Sequence, residues 1–187
     1  MSVPASTKDA LVEHLLAHAV RRGSFTLKSG KPTTWFIDAK QTACRPEAML
    51  LVADAVLSVC PPSTTAIGGL TMGADPLAFV AAAVAATRGR PLKVFSVRKE
   101  VKDHGGGGRI AGALDPGDRV VLTEDATTRG TSLLEAARFV REVGAEPILL
   151  CALVDRGGTC GSMAAEAGLA FTAIVTAEDL GFPFEGP

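Results

Sequence analysis

The chain has no apolar run approaching the roughly 20 residues that a bilayer-spanning helix needs, which excludes a transmembrane helix. Residues Met1 to Ala10 contain no apolar signal core, so a cytoplasmic protein is expected. Cysteine is sparse: Cys44, Cys60, Cys151 and Cys160 lie far apart and form no C-x-x-C pair. Reduced, mostly buried thiols are expected, and a zinc site or disulfide framework is disfavoured. Excess charge is also missing, since 19 Lys and Arg face 20 Asp and Glu for a formal charge of −1. No global field recruits nucleic acid or an anionic membrane. Several catalytic signatures are absent too. There is no G-x-x-x-x-G-K-[ST] phosphate loop, no G-x-S-x-G elbow and no H-E-x-x-H, and the run Gly105–Gly108 lacks the offsets of G-x-G-x-x-G.

What remains is the composition of an ordinary globular domain, 47% hydrophobic and 21% charged. The 187 residues suit one self-supporting domain. Leu11, Val12, Leu15, Leu16, Ala19 and Val20 recur at helical spacing, predicting a helix from Lys8 to Arg22 that Gly23 stops. Residues 25–38 read as two short extended pieces broken by Ser29-Gly30-Lys31-Pro32, and 46–59 as a helix opened by Pro46. Strands are then predicted near 65–68, 93–97, 119–123, 147–154 and 171–175. They alternate with helices near 75–87, 131–143 and 162–167. Val120–Leu122 and Ile148–Val154 are apolar almost throughout. That pattern belongs to strands buried on both faces, so an α/β fold with a mostly parallel sheet between helices is expected. Ligands in such sheets sit beyond the carboxyl ends of the strands. Segments 69–75, 98–109, 124–132 and 155–158 all fall at that edge.

Two of these segments carry chemistry. In the first, an apolar run from Arg119 leads to adjacent carboxylates, Glu124 and Asp125, then to a turn with Thr127, Thr128, Gly130, Thr131 and Ser132 that opens a helix. The acids can accept hydrogen bonds from sugar hydroxyls. The turn and the helix N-terminus offer donors to a phosphate. A bland strand–turn–helix connection capped by Thr or Ser would look similar, but an acidic pair directly before such a turn is much rarer. The second segment runs Arg98-Lys99-Glu100-Val101-Lys102-Asp103-His104 into the four glycines. Three fixed cations and a histidine can neutralise a diphosphate. The glycines resist ordering, which predicts a lid that closes on a charged ligand rather than an inert solvated loop.

These residues resemble a known family. Val120–Ser132 resembles the phosphoribosyl-diphosphate (PRPP) signature of type I phosphoribosyltransferases. Arg98–Gly105 is similar to the catalytic loop of the orotate phosphoribosyltransferase branch. Phe25–Gly30 with Trp35-Phe36-Ile37-Asp38 resembles that branch's N-terminal segment, and Asp155–Gly158 its late strand-end motif. The resemblance implies the type I phosphoribosyltransferase fold: one domain over 1–187, with a small hood built from about 1–40 and a core from about 60–187. It implies transfer of a phosphoribosyl group from PRPP to orotate. Glu124 and Asp125 would then bind the ribose hydroxyls, and Ala126, Thr127, Thr128, Arg129, Gly130, Thr131 and Ser132 the 5′-phosphate. Arg98, Lys99, Lys102 and His104 would contact the diphosphate; Lys28, Thr71 and Met72 would also reach PRPP. Lys99, Lys102, His104 and Asp125 are the implied catalytic groups. Phe36, Ile37, Thr128 and Arg156 would bind orotate, with Arg156 pairing its carboxylate. Mg²⁺ would be held through PRPP oxygens and water rather than by direct protein ligands. A homodimer is implied, because part of the family's loop reaches the neighbouring subunit's site. No nucleic acid or membrane partner is expected.

Two positions depart from the family pattern. Arg129 stands where the signature usually has glycine, and so requires an allowed backbone conformation or mild strain. Met72 stands where some relatives carry a lysine, which removes one cation. Three rival readings are a phosphoribosyltransferase for another base, a non-catalytic PRPP-sensing regulator and a plain structural domain. An acidic base needs a fixed cation such as Arg156, which a purine does not. A regulator should carry an added nucleic-acid-binding domain or a basic face. A structural domain leaves the clustered acids, hydroxyls and cations unexplained.

Overall fold

The two near-continuous apolar strands lie inside the main sheet, where both faces are covered. The computed structural model describes residues 2–26, 30, 32–100 and 108–186. Its strands are β1 (Val20–Thr26), β2 (Pro32–Ile37), β3 (Ala66–Leu70), β4 (Lys93–Val97), β5 (Ile110–Gly112), β6 (Arg119–Thr127), β7 (Glu146–Asp155) and β8 (Phe171–Thr176). The α-helices are α1 (Ala5–His18), α2 (Lys40–Ala43), α3 (Pro46–Val59), α4 (Asp75–Thr87), α5 (Thr131–Glu142) and α6 (Cys160–Glu166). A six-stranded sheet runs β5-β4-β3-β6-β7-β8, and β1 and β2 form a separate two-stranded sheet. All pairs in the main sheet are parallel except β4 with β5. The mostly parallel α/β sheet expected from the sequence is present.

Alternation along the strands divides the core in two. Ile67, Val121, Cys151 and Leu153 face one side, with Leu11 and Leu15 of α1, Val52 and Val56 of α3, and Leu77 and Ala81 of α4. Ala66, Val120, Leu122 and Leu150 face the other, with Leu133, Ala136 and Val140 of α5 and Cys160 and Ala164 of α6. The buried residues of α5 fall at helical spacing (Leu133, Ala136, Ala137, Val140), so one stripe faces the sheet and the polar face is solvated. Cys60, Cys151 and Cys160 are buried, Cys44 is exposed, and all four are free thiols.

Several boundaries and two short elements differ from the sequence reading. The first helix ends at His18 rather than Arg22, because Val20, Arg21 and Arg22 pair with Ile37, Phe36 and Trp35 across the small sheet. Strand pairing overrides the helical spacing there. The short helix α2 and the strand β5 carry too few residues to show a period. β6 continues through Thr127 rather than ending at Thr123, because its ladder with β7 runs on to the pair Thr127–Asp155. The acidic pair therefore lies within a strand. Finally, α6 starts at Cys160, two residues early.

β3 must lie very close to its neighbours. A Cβ built on Gly68 would come 2.3 Å from the carbonyl oxygen of Phe95, and one on Gly69 2.5 Å from that of Thr123. Both obstructions are backbone, so the sheet itself would have to move. Gly68→Ala is expected to destabilise the fold by about 1–3 kcal/mol, in the range for overpacked cores, seen as a lower urea midpoint. An unchanged midpoint would contradict this close approach.

Candidate active site

The carboxyl ends of β3, β4, β6 and β7 supply the site. Residues 71–74 follow β3, Arg98 and Lys99 follow β4, residues 128–130 follow β6, and residues 156–158 follow β7. Glu124 and Asp125, near the end of β6, are only 8% and 7% exposed. Successive strand residues normally point to opposite faces, yet both carboxylates converge on Gly73. A Cβ there would lie 2.0 Å from Glu124 Oε1 and 2.6 Å from Asp125 Oδ1. Only a glycine lets the 71–73 turn lie on the acidic pair.

The electrostatics of the pair are lopsided. Lys40, the first residue of α2, donates to Asp125 Oδ2 at 2.8 Å and lies 3.0 Å from Asp38 Oδ1. Burial works against the lysine's charge, but its hydrogen bonds to Asp125 and Asp38 outweigh that and hold its pKa above the ordinary value. No cation hydrogen-bonds to Glu124 among the described residues. Burial, then a hydrogen bond and charge from Asp125, push its carboxyl well above the usual range, and the nearby charge of Lys40 opposes the shift without cancelling it. Its Oε2 is buried without a hydrogen-bond partner among the described residues. A shifted acid with an unused oxygen at a sheet edge marks a binding or reacting centre.

The turn after β6 presents donors. The Thr127 hydroxyl accepts from the Gly130 N–H at 2.8 Å. Gly130 is left-handed (φ 79°), and no side chain caps the N-terminus of α5. Thr131 and Ser132 do not serve as the caps that a bland reading would assign, and no acid lies in the first turn of α5. Uncapped N–H groups and the helix dipole face an anion unopposed. Arg129 is exposed, and no non-glycine residue has positive φ among the described residues. The family glycine is thus replaced without backbone strain. Across the crevice, the Thr71 hydroxyl donates to Asp75, which also accepts from Ser96. Met72 is 67% exposed.

Arg98 and Arg109 close the base of the basic loop. Arg98 N–H donates to the Arg109 carbonyl at 2.7 Å, and Arg109 Nε donates back to the Arg98 carbonyl at 2.6 Å. This extends the antiparallel β4–β5 pairing, so the loop joins the two strands of a hairpin. Lys99 is exposed. Lys28, Lys102 and His104 lie outside the described residues.

Arg156 is buried, with its guanidinium 4.6 Å from the centre of the Trp35 ring. It donates to the Trp35 carbonyl at 3.1 Å and pairs with Glu185, whose other oxygen accepts from Thr33. The Arg156 backbone joins the site from both sides, its N–H donating to Thr127 and its carbonyl accepting from Glu185. Phe36 and Ile37 do not sit together: Ile37 lies in the core and Phe36 faces outward. The Thr128 carbonyl accepts from Thr159, and Gly157 packs on the Thr128 backbone.

Sequence reasoning passed over Lys40, Asp75, Trp35 as a platform, and Glu185. Lys40 lies just beyond the Trp35–Asp38 motif, and its spacing from Asp38 was a usable signal. Glu185 carries no local signal.

No protein-family model matches the chain. An orotate phosphoribosyltransferase of Synechocystis is 34% identical over 177 residues, covering 94% of this chain and 89% of that protein. One from Aquifex aeolicus is 43% identical over 133 residues, 71% of this chain and 73% of that protein. The chain belongs to the orotate phosphoribosyltransferase family. Among solved structures, a phosphoribosyltransferase from Corynebacterium diphtheriae superposes with TM-score 0.81 at 33% identity, covering 95% of this chain and 99% of that one. The orotate phosphoribosyltransferase of Mycobacterium tuberculosis in complex with PRPP superposes with TM-score 0.76 at 28% identity, covering 94% and 99%.

The raised Glu124 pKa sets a pH signature for this family member. In the unfolded chain the carboxyl loses its proton near its ordinary value of 4.5; in the folded chain it keeps it to higher pH. Between those values the native state holds the extra proton, so Glu124 contributes less to stability as pH rises. Relative to Glu124→Gln, the wild-type unfolding free energy should fall from about pH 5 to pH 8, at most by about 1.4 kcal/mol per pH unit. Urea titrations check this. A difference independent of pH would show that Glu124 is not held protonated.

Proposed function

We propose that the protein transfers the 5-phosphoribosyl group of PRPP to N1 of orotate, releasing diphosphate and forming orotidine 5′-monophosphate. The observation that carries this reading is the row of groups on neighbouring strands. The acidic pair lies near the end of β6, the uncapped start of α5 follows that strand, and Arg156 follows β7. A sugar diol, a 5′-phosphate and an acidic base have matching partners along that row.

Orotate N1 bonds to the anomeric carbon and gives up its proton, to the diphosphate or to solvent, as the bond to the diphosphate oxygen breaks and that electron pair leaves with the diphosphate. Positive charge grows on the sugar and negative charge on the leaving group. Asp125 and Glu124 orient the ribose, and the Asp125 carboxylate offsets the first. Arg98, Lys99, Lys102 and His104 offset the second. Arg156 pairs with the orotate carboxylate; its buried Nε has no partner among the described residues, which leaves it a free donor. Closure of the 98–109 loop would exclude water. The residues also suit Mg²⁺: Glu124 and Asp125 are hard oxygen donors, and Glu124 Oε2 is unused. They would reach the ion through water, with PRPP oxygens holding it directly. The bound ion supplies charge neutralisation to the diphosphate. A single domain over 1–187 and a homodimer sharing the loop complete the proposal.

The direct test follows loss of orotate absorbance with PRPP and Mg²⁺, beside uracil, hypoxanthine and adenine. Consumption of orotate alone is expected, and turnover of a purine in its place would overturn the reading. Glu185 tests the carboxylate site. It holds the group that orotate must pair with, so Glu185→Gln should lower the orotate KM about fivefold, matching a pair of ~1 kcal/mol. The PRPP KM should not change. An unaltered orotate KM would remove Arg156 from orotate binding.

A further inference from the structure

Away from the proposed crevice, two histidines and a glutamate meet where α1 ends and α3 begins. His14 and His18 lie one turn apart on the same face of α1, with ring centres 4.4 Å apart. Glu47, in the first turn of α3, brings a carboxylate oxygen to 3.8 Å from His14 Nε2. One ligand atom from each of the three residues lies within 4.8 Å of the others.

The His14 ring is set up as a ligand. Its Nδ1 lies 3.0 Å from the hydroxyl of buried Thr42 on α2. An N–H donated there leaves Nε2, 3.8 Å from the Glu47 carboxylate, with a free lone pair, the arrangement that orients metal-binding histidines. That Nε2 is buried and has no hydrogen-bond partner among the described residues. Burial, then the positive charge of His18, lowers the His14 pKa and favours the neutral ring that a metal requires. Arg45 lies close enough to oppose a cation, while Glu47 and the carbonyl end of α1 attract one.

We propose that His14 Nε2, a His18 ring nitrogen and the Glu47 carboxylate form a binding site for a borderline divalent transition metal of the Zn²⁺ class, with water in the fourth position. Two imidazoles and one carboxylate suit such an ion better than Mg²⁺ or Ca²⁺. Bonds of ~2.0–2.1 Å in a tetrahedral site put ligand atoms about 3.3 Å apart. The present separations therefore close by at most about 1.5 Å, through rotation of the exposed His18 and Glu47 side chains. The ion would fasten α1 to the start of α3. β1 begins two residues after His18, and α2 carries both Thr42 and Lys40, so the clamp sits at the root of the small sheet.

The test is calorimetric titration of ZnCl₂ into the full-length, tag-free chain after chelator treatment, in a Cys44→Ser background that removes the one exposed thiol. One equivalent should bind and raise the melting temperature. His18→Ala and Glu47→Gln should each weaken binding at least about tenfold, since even outer-shell partners are worth that much. Both residues are exposed, so circular dichroism should show an intact fold. Absence of binding overturns the proposal. So does binding that both variants retain, or binding lost only in Glu124→Gln, which would locate the ion at the acidic pair.

Discussion

The constraint on which the site depends is the burial of two adjacent carboxylates with, among the described residues, one lysine to match them. Lys40 satisfies Asp125, and Glu124 is left in an environment that favours its protonated form. The protein keeps the acids buried at a cost to its own stability, which is the usual mark of a site organised for a ligand.

Everything around the pair follows from the sheet. β6 extends as far as Thr127 because β7 is long enough to pair with it, so the acids lie in one ladder, and the 128–130 turn and Arg156 leave from its end. β3 approaches closely because Gly68 and Gly69 carry no side chains, and Gly73 lets the next turn lie on the carboxylates. Residues 182–186 then return to the same edge. There Glu185 joins Arg156, and Phe184 covers Gly158. Under the proposed function the carboxylate of Glu185 stands where the acidic substrate would place its own, and binding would exchange one carboxylate for another.

Much of this was legible in the sequence. Apolar runs such as Val120–Leu122 announce strands buried on both faces, and the order of strand, turn and helix across 124–132 was readable as well. The parts that were not legible share a cause: they depend on contacts distant in the chain. Lys40 meets Asp125 across 85 residues and Arg156 meets Glu185 across 29. β5 is three residues long and exists only as the partner of β4. Val20 keeps a helical spacing but is captured by Ile37. Phe36 and Ile37 read as one apolar motif, yet strand alternation sends them to opposite faces.

The most direct measurement is a crystal structure of the protein with PRPP and Mg²⁺. The ribose hydroxyls should lie on Glu124 and Asp125, and the 5′-phosphate on the backbone N–H groups of residues 128–132. PRPP bound with its sugar away from the acidic pair, or its phosphate away from the start of α5, would contradict the assignment of this crevice.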